Sequence, residues 1–145
     1  DVARDSVAPL RAAFNAEATS RLDLATLRPR LRTDIVLELE HIDLHLVHWM
    51  SYLGPHGMGN PGPLVVASAV AFQRAKVVGE NHLKATLTQG AGRIDAIGFG
   101  LAERHPPEAV MAEPHDVVFR LERNEWRGTA RVQARLIALR PSETG

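Results

Sequence analysis

Eleven consecutive residues, Leu53-Gly54-Pro55-His56-Gly57-Met58-Gly59-Asn60-Pro61-Gly62-Pro63, hold four glycines and three prolines. Proline locks φ and has no N–H to donate, and glycine loses the most backbone freedom on ordering, so neither a helix nor a central strand can run through this stretch. It separates two regimes of hydrophobic spacing. Before it, apolar residues recur at helical steps; after it they alternate, which is the period of a strand. The boundary of a β domain is therefore placed at Pro63.

Upstream, Val7, Leu10, Phe14 and Ala18 mark one face of an amphipathic helix over Ser6 to Ala18, with Ser6 as its N-cap. So short a helix needs a surface to pack on. Arg28-Pro29-Arg30 breaks the pattern, and the acidic run Asp34 to Glu40 sets Ile35, Leu37 and Leu39 against Val36 and Glu38, as in a short strand or extended linker. Asp43 then caps a second helix, with Ile42 and Val47 as a hydrophobic staple and Leu44, Val47, Met50 and Leu53 as its buried face.

Downstream, Pro63 to Val78 is a long β-rich run, and Leu83, Ala85 and Leu87 alternate with Lys84, Thr86 and Thr88 before a Gly90-Ala91-Gly92 turn and a returning strand from Ile94 to Phe99. A short helix interrupted by Pro106-Pro107 is expected within Leu101 to Val110. Two further strands, Val117 to Arg123 and Thr129 to Leu139, flank Asn124-Glu125-Trp126-Arg127-Gly128. Five strands with a helix between the third and fourth is the element order of a five-stranded OB-fold barrel; a five-stranded Ig-like piece would not need that helix. The fold expected is mainly β, a barrel preceded by two short helices and a linker strand.

At 145 residues and 45% apolar content, the chain can bury one core plus a helical appendage. It has no cysteine, which removes disulfides, thiolate metal sites and cysteine nucleophiles. No apolar run reaches the roughly 18 residues of a membrane span, and no basic segment followed by an apolar core opens the chain. A cytoplasmic location is expected, and the opening Asp1-Val2-Ala3-Arg4-Asp5 reads as the middle of a longer chain. Formal charge is zero: 6 Lys and Arg face 8 Asp and Glu over residues 1–69, and 11 face 9 over residues 70–145. Composition alone would not nominate a nucleic acid as ligand.

The pattern of positions makes that case. Alternation puts Arg131, Gln133 and Arg135 on one face of the last strand, opposite Val132, Ala134 and Leu136, and turns Lys84 and Arg120 outward on theirs. With Arg74, Lys76 and Arg93 they can line a basic groove of the kind that tracks a phosphate backbone, while an aromatic ring offers bases a stacking platform. Trp126, in the same turn as Arg127, is the leading platform, with His82 and Phe99 behind it, although Phe72, Phe99 and Phe119 sit in apolar runs and read first as core. A purely solvated face is the alternative reading of these cations. His41, His45 and His48 near Glu38 and Glu40 have a spacing that could gather a metal, but surface histidines are commonly scattered so and no metal site is assigned. No Ser-His-Asp order, phosphate-binding loop or Asp-His-His cluster appears, so no catalytic residue is assigned and the chain by itself is expected to be inactive.

The Leu53 to Pro63 segment resembles the Leu-Gly-Pro-Phe-Gly-x-Gly-Asn-Pro-x-Pro signature that enters the OB domain of the RecJ family of single-strand-specific 5′-to-3′ exonucleases, with His56 where the family usually shows Phe. His82-Leu83-Lys84 with Leu87, Asp95-Ala96-Ile97 with Phe99-Gly100, Asp116-Val117 through Leu121-Glu122 to Asn124-Glu125-Trp126 with Gly128, and Gln133 to Arg140-Pro141 are similar to its later motifs. The resemblance covers about Phe14 to Pro141. It implies that residues 1–33 are the helical tail of an upstream DHH-associated domain, 34–62 a linker strand, helix and loop, 63–141 the OB domain and 142–145 a tail. It further implies single-stranded DNA as ligand, the catalytic core of a parent chain as partner, roles in DNA repair and recombination, and manganese or magnesium in that core, with no cofactor in the present region. A protein-docking role, recruiting a single-strand-binding protein or a helicase, is the competing expectation.

Overall fold

The computed structural model describes residues 3–23 and 30–143, Trp126 by its backbone alone; the Arg28-Pro29 break lies outside them. The chain divides into two compact units, Asp1–Leu31 and Arg32–Gly145. In the first, a 3-10 turn, Arg4–Ser6, runs straight into helix α1 (Val7–Arg21). Ser6 is itself helical, with φ −86° and ψ −10°, and makes no side-chain cap bond, contrary to the expected N-cap. The turn replaces the cap: the Ser6 N–H already donates to Ala3 O at 2.9 Å. Pro9 falls within the first turn, where a missing donor costs nothing.

The second unit holds β1 (Ile35–Val36), a 3-10 turn (Leu39–His41), α2 (Leu44–Ser51), β2 (Val65–Val78), β3 (His82–Gln89), β4 (Gly92–Gly98), α3 (Pro107–Ala112), β5 (His115–Trp126) and β6 (Thr129–Pro141). The strand order is β2-β3-β4-β6-β5, and β5 returns to β2 to close a five-stranded barrel; β1 adds parallel to the start of β2. Closure depends on β2 serving two partners. Its first part pairs with β5 (Val65 with Phe119, Val70 with His115) and its second with β3 (Phe72 with Leu87, Val78 with His82). Register shifts between Ala67 and Val70 and between Gln73 and Lys76 bend the strand, with Ala69 and Arg74 each at φ 53°.

Inward residues of every strand fill the core: Val65, Val70 and Phe72 of β2, Leu83 and Leu87 of β3, Ile94 and Ala96 of β4, Val117 and Phe119 of β5, Ala134 and Leu136 of β6. Leu39 and Val110 are also buried in it, one from the turn before α2 and one from α3. Leu39 is held by Gln89, whose Oε1 accepts from the Leu39 N–H at 2.8 Å while its Nε2 donates to Ser68 O at 2.6 Å. Gly92 lies so close beneath this turn that a Cβ there would stand 2.3 Å from Glu40 N and 2.4 Å from Leu39 C.

Three sequence expectations change. The helix placed within Leu101 to Val110 starts at the prolines instead of being interrupted by them, because Pro107 occupies its first turn and needs no partner there. Strands β5 and β6 run on past Arg123 and Leu139, pairing residue by residue to Trp126 opposite Thr129 at one end and His115 opposite Pro141 at the other. Asp43 does cap α2, its Oδ1 accepting from Leu46 N at 2.7 Å, but Leu44 and Leu53 are exposed while Leu46, Val47 and Met50 are partly covered.

Candidate nucleic-acid interface

Outward side chains of adjacent strands line up in one lateral row. Lys76 of β2 faces Lys84 of β3, Lys84 faces Ile97 of β4, Ile97 faces Arg135 of β6, and Arg135 faces Arg120 of β5. The row crosses all five strands and carries four cations. Like charges directly opposite on neighbouring strands destabilise a sheet, by a few tenths to about 1 kcal/mol per pair, and the row contains two such pairs, Lys76 with Lys84 and Arg135 with Arg120. A carboxylate relieves only one of the four: Arg135 reaches Glu122 at 3.5 Å. Among the described residues, no ion pair is made by Lys76, Lys84 or Arg120.

Beside this row, the hairpin of β5 and β6 extends past the last β2 partner, Phe119, and past the last β4 partner of β6, Gln133. Arg127 at φ 51° and Gly128 at φ 76° form its tip. Between the hairpin and the barrel wall lies a polar groove of about 620 Å³, lined by Lys84, Asp95, Asn124, Arg127, Arg131 and Gln133 among others. Two of its lining residues are joined, Asn124 Nδ2 donating to Gln133 Oε1 at 3.2 Å, and a third is held from β3, Thr86 Oγ1 donating to Asp95 Oδ1 at 3.2 Å. Three cations face one carboxylate there. Arg93 joins Arg131 and Asp95 in a smaller depression of about 320 Å³.

His82 and Phe99 form an aromatic corner at the far end of β3 and β4. The rings meet edge to face at 5.0 Å, the His82 Nδ1 accepts from Gly100 N at 3.2 Å, and the Arg135 guanidinium lies 5.1 Å from the Phe99 ring centre. Phe99 is 51% exposed, so it is not a core residue like Phe72 and Phe119. It lies just beyond β4, one step along the outward column of Arg93, Asp95 and Ile97.

Of the residues nominated from sequence, the fold thus gathers Lys84, Arg127, Arg131 and Gln133 in one groove and Lys76, Lys84, Arg135 and Arg120 in one row. Arg74 sits at the second bend of β2 and lines neither groove. Trp126 ends β5 opposite Thr129; its side chain lies outside the described residues. Asp95, Asn124 and Thr129 were not nominated, although Asp95 alternates with Arg93 along β4 and so was legible as outward-facing.

A family model described as RecJ OB domain matches residues 33–138. The single-stranded-DNA-specific exonuclease RecJ of Bacillus subtilis (strain 168) is 27% identical over 131 residues, covering 89% of this chain and 16% of that protein. Crystal structures of RecJ from Thermus thermophilus, one in complex with Mn2+ and one with Mg2+, are similar with TM-scores of 0.62 and 0.59 at 22% and 24% identity. Each comparison covers 92% of this chain, but only 19% and 20% of those chains. The chain therefore spans about one sixth of the curated relative's length.

Proposed function

This chain belongs to the RecJ OB domain family, and from that premise we propose that it grips single-stranded DNA for a RecJ-type exonuclease acting in DNA repair and recombination. One observation carries the reading: a lateral row of four cations crosses the barrel and keeps two like-charged pairs face to face. A row perpendicular to the strands offers a phosphate backbone a path, and an anionic ligand removes the repulsion that the free protein bears. Lys84, Arg127 and Arg131 in the adjoining groove give further phosphate contacts, while Gln133 and Asn124 offer amides to base edges. The phosphodiester chemistry, and the manganese or magnesium it calls for, belong in this reading to the catalytic part of a parent chain.

Fluorescence anisotropy of a labelled single-stranded oligonucleotide, at two salt concentrations and against duplex competitor, tests the proposal. The expected result is salt-sensitive binding that prefers single strands. Charge reversal of Lys84 and Arg131 together should abolish it, and neutralising both should flatten the slope of log K against log salt by about 1.4, since each phosphate contact on a single strand contributes about 0.7. Affinity indifferent to salt, or untouched by the reversal, refutes it.

A second reading, docking of a single-strand-binding protein or helicase, is favoured by α2. Apart from two histidines its Leu44–Ser51 sequence has no charged side chain, and Trp49 and the following Tyr52 are 58% and 67% exposed. Trp and Tyr exposed together are typical interface anchors. Loss of partner binding in Trp49→Ala with DNA binding intact would favour it.

A further inference from the structure

The basic row does not stop at the barrel edge. Arg120, its last member, forms one wall of a second groove of about 380 Å³ on the opposite side of β5, whose other walls are α2 and the glycine- and proline-rich loop. Val47, Met50, Pro63 and Leu121 make its lining largely apolar, and His56 stands at its rim. The loop that presents His56 is braced: Asn60 Nδ2 donates to Leu53 O at 2.9 Å and to Pro55 O at 3.1 Å, and Gly57 and Asn60 exchange backbone bonds of 2.9 and 3.1 Å. The imidazole rides over Gly62, where a Cβ would stand only 3.6 Å from the ring. Among the described residues, this exposed ring has no hydrogen bond, ion pair or ring contact.

An unpartnered ring on a hydrogen-bonded loop, in a largely apolar groove and beside an arginine that continues a phosphate path, has the composition of a nucleotide subsite: a base stacks on the ring while its phosphate meets the cation. We propose that the groove between α2, the His56 loop and β5 holds one nucleotide of the bound single strand, with the base against His56 and Met50 and the phosphate on Arg120. The proposal rests on the barrel face binding single-stranded DNA, and it extends that footprint around β5.

The test titrates thymidine oligonucleotides of increasing length against wild type, His56→Ala, His56→Phe, Arg120→Ala and, as the control for the barrel face, Lys84→Ala with Arg131→Ala. The expected result is that His56→Ala weakens binding of the longer oligonucleotides roughly 5- to 150-fold, the range that one stacked base supplies. It should also shorten by a nucleotide or two the length at which affinity stops rising. His56→Phe keeps a ring and should restore both. Wild-type affinity and an unchanged length profile in His56→Ala, with the control weakened, would overturn the subsite and leave the barrel reading standing whatever Arg120→Ala does, since Arg120 also belongs to the row; no binding by wild type would overturn both. Equal melting temperatures of His56→Ala and wild type exclude a folding defect as the cause.

Discussion

Asp116 ties three separate stretches of chain together. Its Oδ1 accepts from Ser142 Oγ at 2.8 Å and from the Ala69 N–H at 3.2 Å, and its Oδ2 from the Arg140 guanidinium at 3.2 Å. The hydroxyl of Ser142 first, then the Ala69 amide and Arg140, hold its carboxyl below the ordinary value near 3.8. The bonds secure the first bend of β2, where Ala69 sits at φ 53°. Asp116→Ala should therefore lower stability at pH 7 by about 1 kcal/mol, the net contribution of the largely solvent-accessible hydrogen bonds it removes. A carboxylate with a depressed folded value stabilises above its unfolded pKa and loses that contribution as pH falls through the folded one. Urea unfolding across pH 7 to 2 should show the gap between wild type and variant closing below about pH 4; a constant gap would contradict the clamp. Some residue roles could be read in advance and others could not. Alternation alone places Lys84, Arg120, Arg131 and Arg135 outside, since a strand must turn every second side chain outward. The clamp was hidden because Asp116 meets Ala69 and Ser142 only after the barrel closes, whereas Phe99 read as core on its apolar character alone, although it continues the outward column of Arg93, Asp95 and Ile97.

Short elements are positioned by what they touch more than by their own propensities. The Leu39–His41 turn is seated on Gly92 and held by Gln89, and Leu39 plugs the barrel at 2% exposure. Gly92→Ala would press a methyl group into the backbone of Leu39 and Glu40 at 2.3–2.4 Å, contacts that no rotamer change relieves. The expected loss is about 1–3 kcal/mol, the range for overpacking a well-filled site, read as a lower denaturation midpoint; an unchanged midpoint would show that the turn lifts away freely. Gln89→Ala, which removes the bond without adding bulk, should cost less. The order of strands and the hairpins were legible from turn residues and period. The face of α2 was legible as well, since His45, His48 and Ser51 recur every three residues and mark the exposed side; Leu46, Val47 and Met50 lie opposite them and are the residues partly covered.

With zero net charge, this chain could bind an anion only by arrangement, not by its overall field. The sequence shows the arrangement only in part, since the row from Lys76 to Arg120 exists through pairings between strands far apart in the chain. The parallel pairing of β4 with β6 is the least local of these, and it brings Arg135 beside Ile97. Nothing in the spacing of residues announces the groove beside His56, which needs α2, the loop and β5 at once. The two-partner strand β2 also sets an order of events in time. Its second part meets β3 directly after a tight turn, but Val65 must wait for Phe119, so closing the barrel carries the larger loop entropy. The meander of β2, β3 and β4 is expected to form first and the β2–β5 seam last. Stopped-flow measurements should then find that Leu87→Ala slows refolding, whereas Val65→Ala chiefly speeds unfolding. The reverse pattern would place the seam in the nucleus. If the seam forms last it also opens first, so the core side of Val65, Val117 and Phe119 is the surface this barrel bares on its way to unfolding.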